Sequence, residues 1–390
     1  MPDADGTVTA RIVDRIDDIP AAAWNALAGE ENPFVSHGFL NALEITGCAT
    51  QRSGWLPQHL AMEDATGRLI GAVPQYLKGH SQGEYVFDHG WAHAFERAGG
   101  SYYPKLQASV PFSPVTGPRL LAGNGPGTLE VQFALANTLQ TFCERMDASS
   151  VHVTFPTRPE WQLLGEAGWI RRRGRQFHWK NRGYETFDDF LGALMSRKRK
   201  SIRKERQAIA NAGIVVDALT GDAIQPQHWD AFYRFYVDTY DRKWGYPYLT
   251  REFFQVLQDT MPDKVVLVIA TRDGRPIAGA LNLKGTKALY GRNWGCSEDL
   301  PFLHFECCYY KAIEFAIAHG LETVEAGTQG PHKIQRGYLP TETYSAHFIR
   351  HAGLRDAIAR FCEEESREVD YEMAAYGELS PYRRDGGDTD

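Results

Sequence analysis

Residues 288–340 read ALYGRNWGCSEDLPFLHFECCYYKAIEFAIAHGLETVEAGTQGPHKIQRGYLP. The apolar and aromatic run Ala288–Trp294, just upstream of a Cys-Ser-Glu-Asp turn, predicts a strand. Phe305, Cys308, Tyr309, Ala312, Ile313, Ala316 and Ile317 then recur at three- and four-residue spacing, which is the apolar stripe of an amphipathic helix, and Gly320 supplies its C-terminal stop. Glu322–Ala326 is a second short strand returning alongside the first. The loop Gly327–Gly337 gathers Gln329, His332, Lys333, Gln335 and Arg336 between glycines. A strand–helix–strand crossover with polar groups at the carboxyl end of a strand is where α/β proteins usually bind their ligands.

Working outward, the chain has 390 residues, more than one typical domain. Upstream of the crossover, Lys264–Arg272 and Pro276–Lys284 form a hairpin across Asp273-Gly274, and helices fill Thr186–Met195, Arg197–Ala210, Gln227–Tyr240 and Arg251–Asp259. The first half repeats the layout. Ser36–Ile45 is a Ser-capped helix, His59–Met62 and Leu69–Leu77 are a hairpin, Tyr85–Asp88 is a short strand, and the helix Thr128–Met146 feeds the strand Val151–Phe155. The expected architecture is therefore α/β (α+β), with mixed, mostly antiparallel sheets flanked by helices. One unit is expected over 1–180, a second carrying the main site over 181–379, and a disordered tail over 380–390.

Composition narrows the class. With 43% apolar and 23% charged residues the chain can bury a core without staples, and its net charge of −7 gives no whole-chain argument for nucleic acid. The six cysteines form no CxxC pair, so reduced thiols and no metal site are expected. The opening residues lack a charged-then-apolar leader, and no stretch approaches the ~20 apolar residues of a membrane helix; a cytoplasmic location is the expectation. Charge is nonetheless uneven: Arg171–Arg206 is strongly basic and Glu363–Asp390 mainly acidic.

Several constellations could carry chemistry. Arg197–Arg206 (RKRKSIRKER) reads either as a solvated helix face with pairing inside the helix, as at Glu205, or as a phosphate platform on which Arg199 and Arg203 would bind oxygens. Thr239–Thr250 (TYDRKWGYPYLT) makes a rigid aromatic loop in which Trp244 could wall a pocket. Lys333 and Arg336, three residues apart, could hold one phosphate or carboxylate. His304 and Glu306 form a His-x-Glu, but the Pro-Cys-x-x-Cys of the zinc deaminases is missing. No HExxH, phosphate-binding loop or serine nucleophile elbow occurs.

Taken together, Ser36–Glu44, Ser109–Gly117, Arg197–Arg206, Tyr240–Phe254, Phe305–Leu321 and Glu325–His347 resemble the bacterial FemAB-like proteins, the branch of peptidoglycan biosynthesis/recognition proteins and N-acyltransferases. The resemblance spans nearly the whole chain. It implies two tandem acyltransferase domains of the GNAT type and transfer of an acyl or aminoacyl group to an amine of a phosphate-bearing or lipid-linked precursor. The donor it implies is aminoacyl-tRNA, with no tightly bound cofactor. In that family a lysine after the last crossover strand contacts substrate phosphate, and Lys333 matches it; Tyr290-Gly291 matches the strand end that faces the reacting groups. The long coiled-coil arm of some members is absent, since Arg197–Ala210 is too short. The pyrophosphate loop of coenzyme A-dependent GNAT enzymes has no clean copy, which weighs against acyl-CoA as donor. Acyl transfer needs an amine that loses a proton, a polarised carbonyl and aligned reactants, without a covalent enzyme intermediate. His332 and Glu306 are then the available proton acceptors, Lys333 and Arg336 the phosphate ligands, Arg199 and Arg203 a secondary patch, and Tyr290 and Trp244 the pocket walls. Two other readings stay open: an acyl-CoA-dependent N-acyltransferase on a small amine, and a precursor-binding protein without catalysis.

Overall fold

The computed structural model describes residues 8–242, 245–327 and 330–383. In chain order the strands are β1 (Thr9–Val13), β2 (Leu56–Pro57), β3 (His59–Glu63), β4 (Leu69–Val73), β5 (Gln75–Lys78), β6 (Lys105–Ala108) and β7 (Ser150–Thr154). They continue as β8 (Ile170–Lys180), β9 (Ile214–Thr220), β10 (Val265–Arg272), β11 (Arg275–Lys284), β12 (Ala288–Cys296), β13 (Thr323–Glu325) and β14 (Leu339–Ile349). Two compact units form, each from discontinuous segments: residues 1–174 with 342–370, and residues 175–341 with 371–390. A reading by sequence order places a single break near 180, because it has no access to long-range pairing. Here Ala346 and His347 of β14 pair with Val153 and His152 of β7, nearly 200 residues away.

In the first unit a small sheet, β1-β3-β4, accompanies the run β2-β5-β6-β7-β14. The expected hairpin is present as β3 against β4. Tyr85–Asp88 is not a strand; it leads into a helix, His89–Arg97, whose Trp91 is buried. β6 and β7 are a parallel pair joined through the helix Thr128–Arg145, and the other pairings in that run are antiparallel. One face of these strands is apolar: Leu106, Ala108, Val151, Val153 and Ala346 join Leu135, Leu139 and Leu164 in a core. The other face is polar and equally buried. Register sets Tyr76 opposite Gln107, Lys78 opposite Lys105, Gln107 opposite His152, and His152 opposite His347. On this face Lys105 donates to Ser81, Glu84 and Asp88, Tyr102 donates to Asp88, and His152 lies 2.7 Å from His347. Burial of an unpaired charge costs several kcal/mol, and this mutual pairing offsets it.

The second unit orders its strands β8-β13-β12-β11-β10-β9. Only β12 and β13 are parallel, joined through the expected amphipathic helix. That helix has three pieces: Leu303–Phe305, a π turn Glu306–Tyr310, and Lys311–Ala318. Its apolar side (Tyr309, Ala312, Ile313, Ala316) packs with Trp179, Leu289, Val324 and Phe190. Residues 380–383, placed by sequence in a disordered tail, are held in this unit. The Tyr382 hydroxyl donates to the Gly337 carbonyl at 2.8 Å, and Met195 N donates to the Pro381 carbonyl at 2.9 Å. Residues 384–390 lie outside the described residues.

Candidate functional site

β12 and β13 run together only over Ala288↔Thr323, Leu289↔Val324 and Tyr290↔Glu325. β13 then ends, while β12 continues to Cys296 against β11 alone. A register shift at Leu281/Asn282 lies at the same level. Past Tyr290, no strand pairs with that edge of β12 among the described residues. Gly291 stands at the parting. A Cβ there would come within 3.3 Å of the Glu325 carbonyl and 3.4 Å of Asn282 Oδ1, so glycine permits the close approach.

The polar loop folds back over this end as a 3-10 turn, Pro331–Arg336, bracketed by Gly330 and Gly337, both in left-handed conformations. Lys333, 3% exposed, is turned inward. Its Nζ donates to the carbonyls of Ala326 (2.7 Å) and Gly327 (3.0 Å), the first residues past β13. An ammonium has three N–H donors, so one more can serve a ligand oxygen. Burial brings the Lys333 amine down to about 8, with Cys308 opposing. His332 lies at the surface of the turn with Nε2 3.0 Å from the Tyr309 hydroxyl. Burial, then the charges of Lys333 and Arg336, lower its pKa, which favours the neutral imidazole. Beneath, His178 of β8 is brought down to about 3 by burial and by Lys180 and Lys333, and its Nε2 is 4.0 Å from Glu325.

Arg336 does something other than face a phosphate. Its Nη2 donates to both oxygens of Glu205 at 3.0 Å, its Nη1 donates to the His332 carbonyl, and its guanidinium lies 3.4 Å from the Phe305 ring centre. Glu306 is likewise engaged. It accepts two-pronged hydrogen bonds from Arg206, whose Nη1 also reaches Glu314 at 2.6 Å. Burial raises Glu306 and Arg206 opposes the shift, so the group is a salt-bridge partner rather than an open base. Arg206, Glu306, Lys311 and Glu314 line a cavity of about 670 Å³ together with Arg203 and Asp188, themselves paired at 3.0 Å. Arg199 is half-buried on the same helix, Ser196–Asn211. Tyr290 sits in the last register that β12 shares with β13. Gln329 and Trp244 lie outside the described residues. The turn thus brings Lys333 and His332 to the parted strands, while Glu306, Arg203 and Arg206 gather at the separate cavity.

The uneven charge of the sequence finds its partner within the chain. Arg172 pairs with Glu365 and Arg173 with Asp370 in the first unit, and Arg175 with Glu372 in the second. The arginines 172, 173 and 175 therefore face the acidic helix Ala352–Glu378 and not a polyanion. Sequence reasoning gives Tyr309 a packing role and Glu205 an intrahelical one, and does not single out Tyr310. The adjacent tyrosines on an otherwise apolar helix, and a single acid within RKRKSIRKER, were the available signals.

A profile of the FemAB-like family, described as peptidoglycan biosynthesis/recognition, matches residues 15–384. The chain belongs to the FemAB-like family. No curated protein matches it. Among solved structures, FemX is similar at 12% identity over 87% of this chain and 98% of that one, with a TM-score of 0.57. L-PGS from Bacillus licheniformis aligns at 10% identity over 85% of this chain and 98% of that one (TM-score 0.50). A DUF2156 domain from Agrobacterium fabrum aligns at 9% identity over 86% and 93% (TM-score 0.51). At such identities the likeness is one of fold, and the FemAB-like chain shares with these proteins its mixed, helix-flanked sheets.

Proposed function

We propose that this FemAB-like protein transfers an acyl or aminoacyl group to an amine of a phosphate-bearing cell-wall precursor, at the parting of β12 and β13. The observation that carries the reading is Lys333. It is a buried ammonium anchored by two carbonyls, with a third N–H to offer at the carboxyl end of a parallel pair. Attack of the amine on the donor carbonyl forms the new N–C bond and places negative charge on the carbonyl oxygen. A preorganised donor in a dry site stabilises that charge. The bond from the acyl carbon to the leaving oxygen or sulfur then breaks, and the amine proton passes to a neutral acceptor; His332, with Tyr309 behind it, fits that part. The uncovered edge of β12 would align the donor. The family description favours a peptidoglycan precursor as acceptor, and the resemblance favours aminoacyl-tRNA over acyl-CoA as donor.

The test incubates the full chain with a labelled aminoacyl-tRNA or acyl-CoA and an amine-bearing, phosphate-bearing precursor. Product formation is followed in the unaltered chain and in Lys333→Met. Product from one donor, reduced by about 100-fold or more in the variant as for loss of an oxyanion donor, is the expected outcome. Turnover that survives the substitution overturns the role of Lys333. Binding of precursor without product from either donor replaces the enzyme reading with the binding-protein one.

A further inference from the structure

The turn that carries Lys333 has no ladder of its own, and it starts and ends on glycines with φ of 108° and 90°. Something else must hold it. At its end, Arg336 donates to both oxygens of Glu205, and through Nη1 to the His332 carbonyl one residue before Lys333. Glu205 is fixed in turn by the Tyr310 hydroxyl, which donates to it from the π turn. Lys198, on the same helix as Glu205, donates to Gln335. Arg336 and Glu205 are nearly dry, with side chains 9% and 12% exposed, so this pair is screened far less than a surface one. We infer that Glu205 and Tyr310 are positioning residues for Lys333, clamping the turn so that its amine stays dehydrated against the end of β13. The acid in the basic run, in sequence an intrahelical partner for its neighbours, is the latch of this turn.

The groups that face Lys333 limit what else could set its proton affinity. They are Cys308 from the helix, His178 from β8 and His332 from the turn, with Lys180 and Glu325 beside His178, and Tyr309 and Arg336 beside His332. Burial dominates, and Cys308 opposes it. Opening the turn lets water reach the amine, which raises its pKa toward 10.5. Losing the Glu205 charge without opening the turn would act in the opposite direction, by leaving Arg336 unneutralised nearby. The direction of the shift therefore separates the two causes.

The inference uses the transfer reading only for its kinetic arm. Glu205→Gln and Tyr310→Phe are made in the full chain. Each is labelled with a small amine-reactive reagent in competition with a reference amine between pH 6 and 11, and Lys333 is read by peptide mass spectrometry. In the unaltered chain a Lys333 midpoint near 8 is expected. In both variants its midpoint is expected to rise by about 1–2 units as dehydration is relieved, while Lys78 and Lys105, buried in the other unit, stay protected. In a transfer assay, kcat falls by about 10- to 100-fold with KM little changed, as for a misplaced group. A Lys333 midpoint that stays put or falls in both variants overturns the inference. If Glu205→Gln unfolds, shown by labelling of Lys78 and Lys105, the deletion of one hydroxyl in Tyr310→Phe decides. A raised midpoint in a chain without transfer activity keeps the clamp and rejects the transfer reading.

Discussion

Replacing Lys333 by methionine should change stability little at pH 7 while removing the activity, and the stability difference should depend on pH in a defined direction. The amine sits at about 8 in the folded chain against an ordinary 10.5. A difference of about 2.5 units corresponds to about 3 kcal/mol between the protonation states. The folded value is the lower one, so the unfolded chain holds the proton more tightly. Folding therefore carries this penalty fully below pH 8 and loses it as pH rises toward 10.5. Methionine fills similar volume and removes the penalty, but it leaves the Ala326 and Gly327 carbonyls without their donor, at about 1–3 kcal/mol each if no water reaches them. The two effects are comparable at pH 7, so a net change within about 3 kcal/mol of zero is expected there. The slope is the sharper test. Between pH 8 and 10 the unaltered chain should gain stability on the variant at up to about 1.4 kcal/mol per pH unit. Urea midpoints of both proteins at pH 7, 8, 9 and 9.8 measure it. Parallel curves would mean that Lys333 is not desolvated, and the argument from burial would fail.

Further outcomes follow from the same geometry. The neutral form of His332 is favoured by burial and by its cationic neighbours, so kcat/KM should fall above about pH 8, where Lys333 loses its proton, and on the acid side with an apparent pKa below 6.5. His332→Gln should flatten that limb, and an unchanged profile would remove His332 from proton transfer. Arg206→Ala leaves Glu306 buried without its guanidinium. It should destabilise by about 2–3 kcal/mol, below the upper range for broken buried pairs because Arg206 is 26% exposed. The raised Glu306 pKa makes that loss larger at pH 8 than at pH 5, and thermal melts at both values check the sign. Lys105→Met strips the ammonium shared by Glu84 and Asp88 and should cost about 3–5 kcal/mol. A melting temperature within 2 °C of the unaltered chain would contradict the buried charge network.

The crossover was legible because its signals are local. The apolar spacing from Phe305 to Ile317, the Gly320 stop and the short strand before Gly327 each act within one element, and the structure keeps them as the three helical pieces from Leu303 to Ala318 and as β13. The position of Lys333 after that strand was legible for the same reason. The fate of its neighbours was not. Whether Arg336 meets a phosphate or Glu205 depends on a contact across 131 residues, and charge type alone reads the same in either case. The arginines before Lys180 read only as unbalanced basic charge because their acids lie nearly 200 residues downstream. The π turn leaves no periodic trace, since one extra residue per turn alters spacing by less than the scatter of the apolar pattern.

The polar face of the first unit has a consequence for how that unit finds its pairing. A one-residue slip between strands turns every side chain to the opposite side. In a sheet with a solvated face such a slip exposes oil to water, and the error is charged on one side only. Here a slip of β5 against β6 would thrust Lys78 or Lys105 among Leu135, Leu139 and Val153, and at the same stroke bring Leu77 or Leu106 against Glu84, Asp88 and His152. Both sides forbid the mistake. Ion pairs that add little net stability over an apolar replacement of the whole network thereby act as an alignment code for the strands, and a chain whose lysines and acids were together replaced by leucines would be expected to have several registers competing where one now exists.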